Sequence, residues 1–128
     1  MSNPVPILVV DDSRAMVLTL ARMLRKAGYH ALTAHDGQEA LAKLEAGLRP
    51  ALILTDLNMP GLDGFGLIRA VRARFGVSAP PIIMLTAETS AEAARTARAL
   101  GAAAWLCKPA DQTALLAAIA AGLALSAA

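Results

Sequence analysis

Ile7-Leu8-Val9-Val10-Asp11-Asp12 decides how the rest of the chain is read: an apolar run of strand length that stops on two carboxylates. Three later runs end in the same manner. Ala51-Leu52-Ile53-Leu54-Thr55 stops at Asp56, Ile82-Ile83-Met84-Leu85 at Thr86, and Ala103-Ala104-Trp105-Leu106-Cys107 at Lys108. Continuous apolar runs suit strands buried on both faces, as in parallel sheets. If these runs are parallel strands of one sheet, three carboxylates, a hydroxyl and an ammonium meet at its carboxyl edge. Open α/β sheets bind ligands at that edge.

The segments between the runs read as amphipathic helices. Ser13 can cap a helix to about Ala27, with Met16, Leu20, Met23 and Leu24 at helical spacing. His30–Ala34 is a weak strand, and Asp36-Gly37 opens a helix from Gln38 to about Ala46. A third helix is predicted over about Gly64–Arg74, and a fourth from a Thr89 or Ser90 cap to near Gly101. Asp111 can cap a fifth, whose Leu115, Leu116, Ile119 and Leu123 form an inward stripe and whose Ala117, Ala118, Ala121 and Ala124 face out. Glycines at 28, 47, 76 and 101 stand where helix C-caps need them. Five βα units in this order predict a doubly wound parallel sheet with helices on both faces, as one domain over residues 1–128.

Composition narrows the function classes. With 128 residues the chain can build one substantial core. A formal charge of +2 is too small to imply a nucleic-acid partner. Arg69, Arg72, Arg74, Arg95 and Arg98 read as solvated helix faces, and His30 and His35 as surface or half-buried residues. Cys107 is the single cysteine, which rules out an internal disulfide, and its apolar run suggests a buried small hydrophobe. The first residues lack the basic and apolar regions of a signal peptide. The uncharged stretch from Gln112 is shorter than the roughly 20 residues a bilayer crossing needs, so a cytoplasmic protein without membrane association is expected.

The cluster itself points to phosphoryl chemistry. Asp11, Asp12 and Asp56 repel one another, and a hard divalent cation relieves that repulsion. Magnesium takes one or two carboxylates together with waters and a substrate phosphate, and a backbone carbonyl just after Asp56 could join them. Asp56 is the best nucleophile, since carboxylates form acyl phosphates. Lys108 suits a point-charge clamp on the phosphoryl group, and the Thr86 hydroxyl suits a donor to one of its oxygens. No G-x-x-x-x-G-K-[ST] loop and no G-x-G-x-x-G turn follows the first strand, which argues against nucleotide binding.

Val9-Val10-Asp11-Asp12-Ser13, Asp56-Leu57-Asn58-Met59-Pro60-Gly61-Leu62-Asp63-Gly64, Leu85-Thr86-Ala87-Glu88 and Lys108-Pro109 together resemble a bacterial response-regulator receiver domain of the chemotaxis (CheY-like) type. The resemblance covers essentially the whole chain. It implies a flavodoxin-like five-stranded sheet of order 2-1-3-4-5 with five helices. It implies Asp56 as the phosphoacceptor charged by a CheA-like histidine kinase, with Mg²⁺ held by Asp11, Asp12, Asp56 and the Asn58 backbone carbonyl. Thr86 and Lys108 would contact the phosphoryl oxygens, and the Lys108–Pro109 bond would be cis. Thr86 and Trp105 would form the switch that alters the face of helix four, strand five and helix five. Asn58 and Glu88 match the chemotaxis-type pair that influences hydrolysis of the acyl phosphate.

Two positions depart from the family pattern. The switch aromatic is Trp where Tyr or Phe is commoner, and Ala110 stands where the family often has Phe. The implied output is binding: to a flagellar motor switch protein, or alternatively as a phosphorelay intermediate passing phosphate to a histidine phosphotransfer protein, in a monomer or weak dimer. No enzyme in the ordinary sense is expected, only self-phosphoryl transfer and autodephosphorylation. An Asp-nucleophile phosphohydrolase typically carries a second Asp two residues after the first, and position 58 is Asn. A pseudo-receiver usually loses an acid or the lysine, and all five groups are present.

Overall fold

A computed structural model describes residues 4–127. Its elements alternate: β1 (Pro6–Val10), α1 (Arg14–Lys26), β2 (His30–Ala34), α2 (Gly37–Glu45), β3 (Leu52–Thr55), α3 (Gly64–Phe75), β4 (Ile82–Thr86), α4 (Ala91–Ala99), β5 (Ala104–Cys107) and α5 (Gln112–Ala127). All four strand pairings are parallel, in the order β2-β1-β3-β4-β5. The doubly wound reading and the implied strand order both hold.

The apolar runs alternate because each face of the sheet has its own core. Ile7, Val9, Leu52, Leu54, Ile83 and Leu85 point to the side covered by α1 and α5, where they meet Val17, Leu20, Leu24, Leu115 and Ile119. Leu8, Val10, Ile53, Ile82 and Met84 point to the other side, against Ala40 and Leu44 of α2 and Leu67, Ile68 and Val71 of α3. A period-two chain buried on both faces has no polar positions to show, which is why these runs are unbroken. On α1, Val17 and Ala21 are buried as fully as Leu20 and Leu24 and belong to the same stripe.

Most helix starts follow the expected caps. Ser13 accepts from the Met16 N–H at 3.2 Å and Ser90 from Ala93 at 3.2 Å, while Asp36 accepts from Glu39 at 2.7 Å and caps α2 one residue before its expected start at Gln38. Of the two candidates for α4, Ser90 is therefore the cap. Asp111 accepts from the Ala114 N–H at 3.2 Å. A short 3-10 turn over Gly76–Ser78, which no apolar period announces, links α3 to the Pro80-Pro81 entry of β4.

Two side-chain expectations are corrected. Cys107 is exposed, not buried. It sits at the end of β5, an edge strand that among the described residues is paired on one side only, so an apolar run there does not guarantee cover. Ala118 is half-buried against the α1 side of the core, whereas Ala117, Ala121 and Ala124 face outward as expected.

Gly64, the first residue of α3, is set by close approach. A Cβ there would lie 2.6 Å from the Asp56 carbonyl oxygen, 2.9 Å from the Leu57 Cα and 2.9 Å from the Met84 Sδ. Two of these three neighbours are backbone atoms, so they cannot rotate away. Gly64→Ala is expected to destabilise the fold by about 1–3 kcal/mol through overpacking. Urea denaturation checks it, and an unchanged midpoint would mean that the loop after Asp56 yields.

Candidate functional site

Register explains how the distant acids meet. β1 and β3 are neighbours, and Val10 pairs with Thr55. The next residue of each strand is Asp11 and Asp56, so two carboxylates emerge side by side at the carboxyl edge. The backbone continues the pairing, with the Asp56 N–H donating to the Val10 carbonyl at 2.9 Å. Carboxylate oxygens of Asp11, Asp12 and Asp56 all lie within 4.8 Å of one another. Asp11 and Asp56 are buried, while Asp12 is exposed and opens the group to solvent. Such a set is all oxygen, with no imidazole or thiolate, and suits a hard cation over a soft one.

Lys108 closes the site from two strands away. β5 pairs with β4, placing Cys107 opposite Thr86, and the Lys108 N–H donates to the Thr86 carbonyl at 2.8 Å. Its side chain then reaches back across the edge. The Lys108 Nζ lies 2.8 Å from Asp11 Oδ2 and 3.3 Å from Asp56 Oδ2. Burial acts most strongly on its pKa and lowers it. The hydrogen bond and charge of Asp11, joined by those of Asp56, outweigh that effect and leave the ammonium above its ordinary value. Repulsion among the acids is thus already offset in part by a cation of the chain itself.

The remaining carboxylate oxygens are held by backbone donors. Asp11 Oδ1 accepts from the Ser13 N–H at 2.9 Å, and Asp56 Oδ1 from the Leu57 N–H at 2.8 Å. The sequence marks Ser13 as a helix cap, but residue type does not mark its N–H, or that of Leu57, as a donor to these carboxylates, because any non-proline residue carries a main-chain N–H. Gly64 shapes the same loop by donating its N–H to the Leu57 carbonyl at 2.8 Å. Its signal was present in the sequence, as the last residue of the Asp56–Gly64 motif.

Thr86 ends β4 and is fully buried. Its hydroxyl accepts from the Glu88 N–H at 3.2 Å, and among the described residues it makes no hydrogen bond to Asp56. Asn58 is exposed, two residues beyond Asp56. Trp105 pairs with Met84 across β4 and β5 and packs, half-buried, against the core on the α2–α3 side. A cavity of 300 Å³ beside it is lined by Ala94, Ala97, Arg98 and Ala104, among others. The Lys108–Pro109 bond is cis. Asp11, Asp12, Asp56 and Lys108 therefore form one contact group, with Thr86 on the neighbouring strand end and Trp105 further along β5.

Similarity to known proteins covers nearly the whole chain. A family model described as the response regulator receiver domain matches residues 7–120. The protein PilG of Pseudomonas aeruginosa is 33% identical over 118 residues, spanning 92% of this chain and 87% of PilG. The crystallised chemotaxis protein CheY4 of Vibrio cholerae superposes with a TM-score of 0.84 at 40% identity, covering 92% of this chain and 98% of CheY4. A response regulator receiver protein from Pseudomonas putida gives 0.86 at 31% identity, covering 94% and 99%.

Proposed function

We propose, because this chain belongs to the response regulator receiver domain family, that it is a phosphorylation-switched binding module of chemotaxis-type signalling. In this reading a CheA-like histidine kinase charges Asp56, and the altered surface of α4, β5 and α5 engages a flagellar motor switch protein in the cytoplasm. The likeness to CheY4, a chemotaxis protein by name, supports the signalling context. The alternative output, relay of phosphate to a histidine phosphotransfer protein, uses the same chemistry. One observation carries the chemistry: a single ammonium spans Asp11 and Asp56 at 2.8 and 3.3 Å, although the three residues are 97 and 52 positions apart.

Asp11, Asp12 and Asp56, with the Asn58 backbone carbonyl, would hold Mg²⁺, which when bound neutralises charge on the phosphoryl oxygens. The chain's own groups do the rest. A carboxylate oxygen of Asp56 forms the new P–O bond while the P–N bond of the phosphohistidine breaks, and the departing imidazole nitrogen keeps the bonding pair. The hydrogen bond from Leu57 fixes the rotation of the Asp56 carboxylate for that attack. Lys108 turns its charge from the Asp56 oxygen to the incoming phosphoryl group without leaving Asp11. The Thr86 hydroxyl already accepts from Glu88 and keeps its own proton to donate to a phosphoryl oxygen. The chain acts on itself in both transfer and hydrolysis and turns over no separate substrate.

Incubation with acetyl phosphate and Mg²⁺ tests the reading. Intact-protein mass spectrometry should find one added phosphoryl group, removed by hydroxylamine and absent when EDTA replaces Mg²⁺. No uptake under these conditions would overturn it.

The switch has its own readout. Trp105 is the sole tryptophan, and the 300 Å³ cavity beside it gives the indole room to move. Its fluorescence is expected to change on addition of beryllium fluoride with Mg²⁺. A flat emission titration, with binding established by calorimetry, would remove Trp105 from the switch.

A further inference from the structure

The pole of the sheet opposite Asp56 carries a second concave site. A cavity of 420 Å³ opens where α3 and α5 end and β4 and β5 begin; its lining includes Ile68, Arg72, Val77, Pro80, Gly101 and Leu125. Clefts that take small ligands commonly start at about 300 Å³, so this one has room for one or two side chains of a partner. Two of these residues are the most exposed large aliphatic side chains of the described chain: Val77 at 106% and Leu125 at 70% of full exposure. Scattered exposed aliphatics need no explanation, but two on the rim of one cavity form a patch.

Arg72 gives the cavity a sign. It is the one charged residue in the lining, and among the described residues no carboxylate forms an ion pair with it. Its side chain is exposed, but the guanidinium lies against Gly101. Nη1 and Cζ lie 2.6 and 2.8 Å from where a Cβ on Gly101 would stand, so the group fills the space which that glycine leaves open. An unpaired, planar donor fork beside apolar walls matches a carboxylate flanked by aliphatic groups.

We infer that this pole docks a segment of a partner protein in which an Asp or Glu side chain lies next to a branched aliphatic one. The carboxylate meets Arg72, and the aliphatic group enters between Val77 and Leu125. A free small carboxylate could pair with Arg72, but it would leave both rim residues in water. A protein segment covers them. The site contains none of the groups at the Asp56 mouth, so docking should not require phosphorylation.

Selection of a displayed random peptide library on the immobilised full chain tests this, followed by fluorescence anisotropy with the enriched peptides. The expected winners carry Asp or Glu beside Val, Ile or Leu. Their binding should weaken roughly tenfold or more with Arg72→Glu, with Val77→Asp, and when the peptide acid is changed to its amide. Asp56→Asn should leave it unchanged. Both altered residues are exposed, and thermal melts confirm that the variants fold. The proposal is overturned if enriched peptides bind both variants equally, if none is enriched, or if only free acetate or isovalerate binds. It is also overturned if sedimentation shows the patch buried between two copies of the chain.

Discussion

Truncation of Lys108 to Ala is expected to cost about 3 kcal/mol of stability without divalent metal, at the lower end of what breaking a buried ion pair removes. The lower end applies because the Lys108 side chain keeps 17% exposure, against 3% for Asp11 and 10% for Asp56. In the variant those two carboxylates face each other with no shared cation. Added Mg²⁺ should restore part of the loss, since it supplies the missing positive charge. The pH dependence follows from the sign of the shift. Folding raises the Lys108 pKa above 10.5, so the contribution is complete below that value and fades only as pH climbs through the raised one. The deficit of the variant should therefore be present at neutral pH and shrink in strong base. Urea melts at neutral pH with EDTA and with Mg²⁺, and in strong base with EDTA alone, check both points; a midpoint unchanged by the truncation would mean that the pair is fully screened. The same variant should take up phosphate roughly 10²–10³ times more slowly, as expected for loss of one electrostatic clamp.

Replacing Asp56 by Asn should separate chemistry from stability. Phosphoryl uptake from acetyl phosphate is expected to fall to background, because a neutral amide does not supply the carboxylate nucleophile. The fold should lose little, since the shorter 2.8 Å contact of Lys108, to Asp11, remains. The two variants thus have opposite signatures: Lys108→Ala costs stability and slows transfer, while Asp56→Asn abolishes transfer and leaves the melt nearly unmoved. Uptake that persists in Asp56→Asn would move the acceptor to Asp11 or Asp12. A large loss of stability would mean that Asp56, not Asp11, is the main anchor of the ammonium.

Side-chain exposure at the margins was the least legible property. Cys107 and Leu54 both occupy apolar runs, yet Leu54 is buried and Cys107 is not. The difference is that β3 lies inside the sheet and β5 at its edge, and local hydrophobicity is blind to that. Ala118 fails for a related reason, since a helix made almost wholly of small apolar residues has no polar stripe to mark its outer face. The hydrogen bonds to Asp11 and Asp56 were hidden because their donors are backbone groups, and the pocket around Arg72 because its walls come from several distant segments.

The order of elements, the caps at Ser13 and Asp111, and the five polar residues at the strand ends were determined by the amino-acid sequence alone, because period, cap chemistry and strand-terminal position are local properties. What only the tertiary structure decided is which of those groups touch. The parallel register sets Asp11 beside Asp56, and the reach of one side chain over two strand ends lets Lys108 offset both charges. Distances of that kind depend on how strands lie beside one another, and nothing within a run of residues encodes them.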